Sequence, residues 1–323
     1  MTTLCHGLSV MVPQVGAIEA QLARLDIPRD EMLSLIAPYV KEVWDESDSC
    51  AREAIRQRRK GLVHLVLRNL VKQLKDGKRS RTGQMVGEFY EEAYSNRTFS
   101  GYAVGTRYVT YLLGDKVVKL TGMGNYRAKS RAIERVFDIV KPQSVCEAGC
   151  GRMKNLAYFA TIFPDIRFSG FDISHNAIDT SRSLQQLDTL DLRLPERSDP
   201  LSSEEMERVR RIELFQGNAA NLNGIPDKTF DITYTISALE QMHSILPDVL
   251  RELRRITRRY VVFCEPFRDV NGTLERIYLW SGNYFRADVA FVERHGFRCI
   301  NLLDCLPHKP TFKDAVLIAE VVQ

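Results

Sequence analysis

The chain has 323 residues, 44% of them apolar and 27% charged, enough to bury a real core in one large or two modest domains. A formal net charge of +4 is too small by itself to imply a nucleic-acid partner, and the seven scattered cysteines form no CxxC pair that would suggest a disulfide framework or a zinc site. No run of about 18 apolar residues could span a membrane, and the start Met-Thr-Thr-Leu-Cys-His lacks a secretion signal, so a cytoplasmic protein with reduced thiols and no metal is expected.

Residues 1–98 read as a helical N-terminal domain. Met32, Leu33, Leu35, Ile36, Tyr39, Val40, Val43 and Trp44 recur at helical spacing after Pro28-Arg-Asp-Glu31, and Leu62, Val63, Val66, Leu67, Leu70, Val71 and Leu74 form a second apolar face. Residues 52–81 hold eleven Lys or Arg against two acids, Glu53 and Asp76. Such a run can grip RNA, anionic lipid or a phosphorylated substrate, but it also serves as the wet face of an amphipathic helix. No aromatic series is interleaved for stacking on bases, which favours the plainer reading.

Residues 99–125 read as a hairpin and connector covering the site: Thr106–Leu113, a Gly114-Asp115 turn, then Lys116–Leu120. Gly122-Met-Gly-Asn125 reads as a break ahead of a helix from about 127 to 140. From 126 to 323 strands alternate with helices, the strands falling at 143–147, 166–171, 212–215, 230–235, 259–264, 297–304 and 315–322. That rhythm predicts an α/β fold with a doubly wound, seven-stranded, mostly parallel sheet. Pro307–Asp314 is too short for a helical crossover, so the last strand should run antiparallel. The insertion Asp191–Glu205, rich in Asp, Glu, Pro and Ser, reads as an exposed loop.

The densest chemistry lies in Val145-Cys-Glu-Ala-Gly-Cys-Gly-Arg-Met-Lys-Asn155. Glu147 ends a strand, Gly149 and Gly151 allow close approach of backbone to ligand, and a helix follows from Asn155 with its N-terminal amides aimed at the same place. Asp172 ends the next strand, where a carboxylate can take both hydroxyls of a ribose. Ligands of open parallel sheets sit beyond the carboxyl ends of the strands, and Glu147, Asp172, Asn218 and Thr235–Ser237 all fall at such ends. A dinucleotide fingerprint would need a third glycine where this chain has Lys154, which argues against a nicotinamide cofactor.

Glu147-x-Gly149-x-Gly151, Phe171-Asp172-Ile173, Gln216-Gly217-Asn218-Ala219, Phe230-Asp231-Ile232 and Ser237-Ala238-Leu239-Glu240 follow one another as in the class I S-adenosyl-L-methionine (SAM)-dependent methyltransferases. The resemblance covers residues 126–323. It implies a Rossmann-like methyltransferase domain with SAM as cofactor, held by Glu147, Gly149, Gly151, Asn155, Asp172, Ile173, Asn218, Ala219, Thr235, Ile236 and Ser237. It also implies closure over SAM by Tyr126 and Arg127, the latter toward its carboxylate. Met153 replaces the family's third glycine, and Asn218 stands where Asp is frequent; its amide oxygen can accept from an adenine amino group.

The implied activity is methyl transfer to an oxygen or nitrogen of a small-molecule or metabolite acceptor. Candidate bases are His243, Glu240 and Glu265, with His243 closest to neutrality in its intrinsic pKa. Tyr102, Tyr108, Tyr111, Tyr278, Trp280, Tyr284 and Phe285 offer a lid for an apolar or aromatic acceptor. The lack of an Asn-Pro-Pro-Tyr motif or a Pro-Cys nucleophile weighs against base methylation. Two rival readings stay open: an RNA-modifying methyltransferase that uses the basic 52–81 segment, and a non-catalytic SAM-binding partner protein. In the latter, the N-terminal helices would pair as a homodimer.

Overall fold

The computed structural model describes residues 15–76, 85, 87, 88, 91, 92, 107–192, 194, 197 and 199–322. The chain begins with α1 (Val15–Ala23) and α2 (Arg29–Ile36), followed by β1 (Val40–Asp45). The helix expected to run on through Trp44 therefore stops at Ile36. Pro38 explains this: it has no amide hydrogen to continue the helical ladder, and the chain tightens into a 3-10 turn over Ala37–Tyr39 before leaving the helix. Beyond a single 3-10 turn, Val40, Val43 and Trp44 suit a strand better than a helix, and β1 alternates half-buried with exposed positions.

The predicted hairpin forms from β2 (Tyr108–Leu113) and β3 (Lys116–Thr121), with Gly114 at φ +59° in its turn. β1 adds to the outer side of β3, giving a three-stranded antiparallel sheet in the order β1-β3-β2. The long α3 (Ser49–Asp76) lies on this sheet, with Ala51 and Ile55 packed on Val117. Its expected apolar face is only partly used: Leu62 and Val66 are buried, whereas Val63, Leu67, Val71 and Leu74 are exposed. Residues 99–106, including Tyr102, and 77–81 of the basic run lie outside the described residues.

Gly122-Met-Gly-Asn125 does not break the chain. It forms the first turn of α4 (Gly122–Val140), whose N-cap Thr121 accepts from the Gly124 amide at 3.2 Å. Gly124 is there for space, since a Cβ would lie 2.3 Å from Leu120 Cδ1 and 2.5 Å from Tyr39 Cβ.

The main sheet consists of β4 (Ser144–Ala148), β5 (Arg167–Asp172), β6 (Glu213–Gln216), β7 (Phe230–Ile236), β8 (Thr257–Glu265), β9 (Phe297–Leu303) and β10 (Ala315–Val321). Their order is β6-β5-β4-β7-β8-β10-β9; β10 is antiparallel to both its neighbours and the other pairs are parallel. After β4 the chain fills one side through β5 and β6, then returns to the other side with β7. This makes β4/β7 the topological switch point. Helices α5 (Lys154–Ile162), α6 (His175–Gln185), α7 (Ser203–Arg210), α8 (Leu246–Ile256), α9 (Thr273–Ser281) and α10 (Val289–Glu293) complete the described regular structure.

Two apolar clusters form the core. One gathers Phe137, Phe159, Phe168 and Tyr234 together with Leu22, Met32 and Ile36 of the first helices. The other gathers Leu250, Leu253, Phe263 and Phe267. The 191–205 insertion is not simply an exposed loop. Leu192, Leu194 and Leu201 are buried, and a Ser202–Glu205 capping box starts α7. Its polar composition masked the spaced leucines that anchor it.

Candidate functional site

At the end of β4, Gly149 (φ +76°) and Gly151 (φ +50°) take left-handed backbone angles, and the amides of Gly149 and Cys150 both donate to the Phe171 carbonyl of β5. A Cβ on Gly149 would lie 2.6 Å from Ala238 Cβ, so glycine is required there for room as well as for angle. Met153, where the resemblance would place a glycine, is also left-handed at φ +50°. Its fully buried side chain offsets a local strain of about 1–2 kcal/mol. Lys154 opens α5 with its ammonium 4.4 Å from the centre of the Tyr126 ring, and burial pushes its pKa down to about 8.

The two acids flank this same turn. Asp172 Oδ2 accepts from the Gly151 amide at 2.8 Å and Oδ1 from the Ser174 amide at 2.9 Å. The Ile173 amide adds a third backbone bond, and the carboxylate keeps acceptor capacity for a ligand hydroxyl. Glu147 is 1% exposed, with Oε1 accepting from the Asn155 amide group and Oε2 from the Tyr234 hydroxyl at 3.1 Å. Burial pushes Glu147 up to about 8, with Asp172 adding to the rise. Among the described residues Asn155 Oδ1 is buried without a partner, an acceptor that a bound polar group would satisfy.

Other residues of the expected cofactor set occupy mixed positions. Ile173 is half-buried beside Gly87, and Glu91 accepts from the Ser174 hydroxyl at 2.7 Å and the Asn176 amide at 3.2 Å at the start of α6. Asn218 is exposed, and its Oδ1 accepts from the Ala220 amide at 3.0 Å, which leaves one lone pair for an adenine amino group. Ala219 is buried. Arg127 is ion-paired with Glu134 at 2.5 Å and lies 4.9 Å from the Tyr158 ring centre, so its guanidinium is already engaged. Thr235 is buried, Ile236 is half-buried, and Ser237 turns the chain at φ +52° with its amide on the Cys264 carbonyl at 3.0 Å.

Across the switch point lies a polar group that the sequence did not disclose. Lys129 of α4 is buried, ion-paired with Asp314 at 2.5 Å and donating to the Ser237 hydroxyl at 2.8 Å. Burial opposes its charge, yet Asp314 holds the ammonium above the ordinary lysine value. One signal was available, since Lys129 sits among Ala128, Ala132 and Ile133 on the buried face of α4. Asp314 gave none, because it meets Lys129 only across 185 residues of chain.

The candidate bases differ sharply. Glu265 is fully buried, its Oε1 accepting from the Ala238 amide at 3.0 Å and the Leu239 amide at 3.1 Å, and burial with the charge of Glu240 pushes it up to about 8. It braces the loop after β7 rather than facing outward. Glu240 is half-buried within electrostatic reach of Lys129, Tyr278 and Lys309. His243 sits in a short 3-10 turn, not in a regular α-helix, and burial beside Arg286 lowers its pKa. Among the described residues no His, Cys, Asp and Glu cluster suits a metal, and no helix is long and apolar enough to cross a membrane.

Residues 146–264 match the model of a family described as a methyltransferase domain. Solved structures similar to the chain include magnesium protoporphyrin IX methyltransferase from Synechocystis PCC 6803 with bound SAH, at 12% identity, 74% of this chain, 100% of that chain and a TM-score of 0.49. The [4+2]-cyclase SpnF is similar at 14% identity, 75% of this chain, 97% of that chain and a TM-score of 0.48. The methyltransferase domain of the bacterial CtHen1-CN is similar at 17% identity, 61% of this chain, 100% of that chain and a TM-score of 0.43. No curated protein matches the chain.

Proposed function

From the premise that this chain carries a class I, Rossmann-like methyltransferase domain with SAM as its cofactor, we propose that it methylates an oxygen or nitrogen of a small-molecule acceptor. SAM held at this site would supply an electrophilic methyl to the acceptor's lone pair, and the acceptor's proton would pass to a base or to water. The protein's part is then mainly to align, exclude water and receive a proton.

The observation that carries this reading is the left-handed Gly149–Gly151 turn beside the Asp172 carboxylate at the switch point. In our reading Asp172 takes the ribose hydroxyls, and Gly149 and Gly151 admit the rest of the cofactor. Asn155 offers its unpartnered oxygen, while Glu147 holds Asn155 and acts through it. Thr235, Ile236 and Ser237 border the methyl, with Lys129 fixing Ser237. Glu240 is the base of choice, since Glu265 is bound to backbone amides and His243 lies beside Arg286.

Incubation of the protein with methyl-labelled SAM and a whole-cell extract tests this. Label should enter a low-mass product and fall to background with Asp172→Ala. Label confined to macromolecules would reject the small-molecule reading; no label anywhere would leave the reading without an activity and reject it outright.

A further inference from the structure

The acceptor's chemistry can be read from a second cavity. A cleft of about 570 Å³ opens between α3, the hairpin, α9 and the β9–β10 connection. Four cations line it: Arg58, Arg107, Lys119 and Lys309. Three rings, Tyr108, Tyr278 and Phe312, share its wall. No ion pair joins any of the four cations among the described residues, although Lys119 lies 5.7 Å from the Trp44 ring centre.

The cleft is a built feature. Leu112 and His308 exchange backbone hydrogen bonds of 2.8 and 2.9 Å, which fix the hairpin to the β9–β10 connection. Tyr278 stacks on Phe312 with centroids 6.2 Å apart and planes at 14°, which fixes α9 to that connection as well. At one end Lys309 is within electrostatic reach of Lys129, Asp314 and Glu240, the polar group that adjoins Ser237 at the end of β7. Phe312 in the cleft wall is two residues from Asp314, which is joined through Lys129 to Ser237 at the end of β7. Its volume is in the range of small-ligand sites, and four clustered cations draw in an anion.

We infer that the acceptor is a small molecule with an aromatic ring and a phosphate or carboxylate, the ring lying along Tyr108 and Tyr278 and the anion among Arg58, Arg107, Lys119 and Lys309. This rests on the methyltransferase reading and narrows it. Arg58 alone of the basic run shares this cleft with aromatic rings, which come from three distant segments. A pocket of this size between fixed walls favours a compact ligand over a strand of RNA.

Phenyl phosphate, benzoate, phenol and inorganic phosphate are titrated into the intact protein saturated with SAH, with binding read by calorimetry. Phenyl phosphate or benzoate should bind at least about tenfold more tightly than phenol and inorganic phosphate, and which of the two wins identifies the anion. The Arg58→Gln/Lys309→Gln variant should weaken that binding by at least about tenfold and keep its SAH affinity, which also reports that it is folded. Equal binding of phenol, or unchanged affinity in the variant, would overturn the inference. So would a ten-nucleotide RNA that outcompetes phenyl phosphate with a steep salt dependence. Failure of SAH itself to bind would instead strike the methyltransferase reading.

Discussion

The two ends of the reacting site are built in opposite ways. The cofactor side is largely local: Glu147, Gly149, Gly151, Asn155, Asp172 and Ser174 fall within or just after one strand–helix–strand unit, and apart from the Tyr234 hydroxyl on Glu147 its acids are held by the amides and side chains of that stretch. The acceptor side is assembled from α3, the hairpin, α4 and the β9–β10 connection, and it is rich in cations. A common cofactor can be held by a short, self-contained unit. An individual acceptor needs surfaces brought from far apart in the chain.

The contrast is broken most severely at Gly149. Gly149→Val places a β-branched side chain at φ +76° and 2.6 Å from Ala238. We expect SAH binding to vanish and the melting temperature to drop; calorimetry and thermal melting read both. An ordinary affinity in this variant would mean that the turn does not touch the cofactor.

Next in size is Lys129→Ala, which leaves Asp314 buried beside a lost partner. Removing one member of such a pair costs roughly 3–5 kcal/mol, measurable by urea denaturation. Lys129→Ala/Asp314→Ala should recover part of that loss, since the orphaned charge is gone. A loss below about 1 kcal/mol in the single variant would place the pair in effectively solvated surroundings.

Glu240→Gln sharpens the division of labour. For a hydroxyl acceptor, kcat should fall by about 10²–10⁴ while SAH affinity stays within about twofold. If kcat is unchanged, Glu240 is not the base.

The smallest effect concerns pH. Glu147 and Glu265, ordinarily near 4.5, are pushed up to about 8 by burial, so the folded state favours their protonated forms. The stability they contribute is full below about 4.5 and is lost as pH rises through about 8. Glu147→Gln should therefore flatten the decline in melting temperature between pH 5 and 9, by a few degrees at the alkaline end. A parallel shift at every pH would show that Glu147 carries no such linkage.

The same contrast explains what the sequence disclosed. Strand ends, the glycine turn and Asp172 were legible because backbone geometry and apolar rhythm are local properties. The 32–44 helix was misread because Pro38 and the partner strand β3 outweighed the apolar spacing. Gly124 looked like a breaker, since its reason for being glycine lies on Leu120 and Tyr39. The partners that Asn218 and Arg127 find within the chain, the Ala220 amide and Glu134, were not legible, since Glu134 is one of several acids the sequence offers. Lys129 was a detectable anomaly on an apolar helix face, whereas its partner Asp314 and the joining of Arg58 to Tyr278 are products of topology alone.

The central claim is that the carboxylate ending β5 and the glycine turn ending β4 together receive the adenosine moiety. Titration of SAH into the intact chain, measured by calorimetry beside Asp172→Ala, addresses it directly. The account predicts saturable binding to the native protein and at least about a hundredfold loss in the variant with its circular dichroism unchanged. Silence in the native titration, or matching affinities for the two proteins, would contradict it.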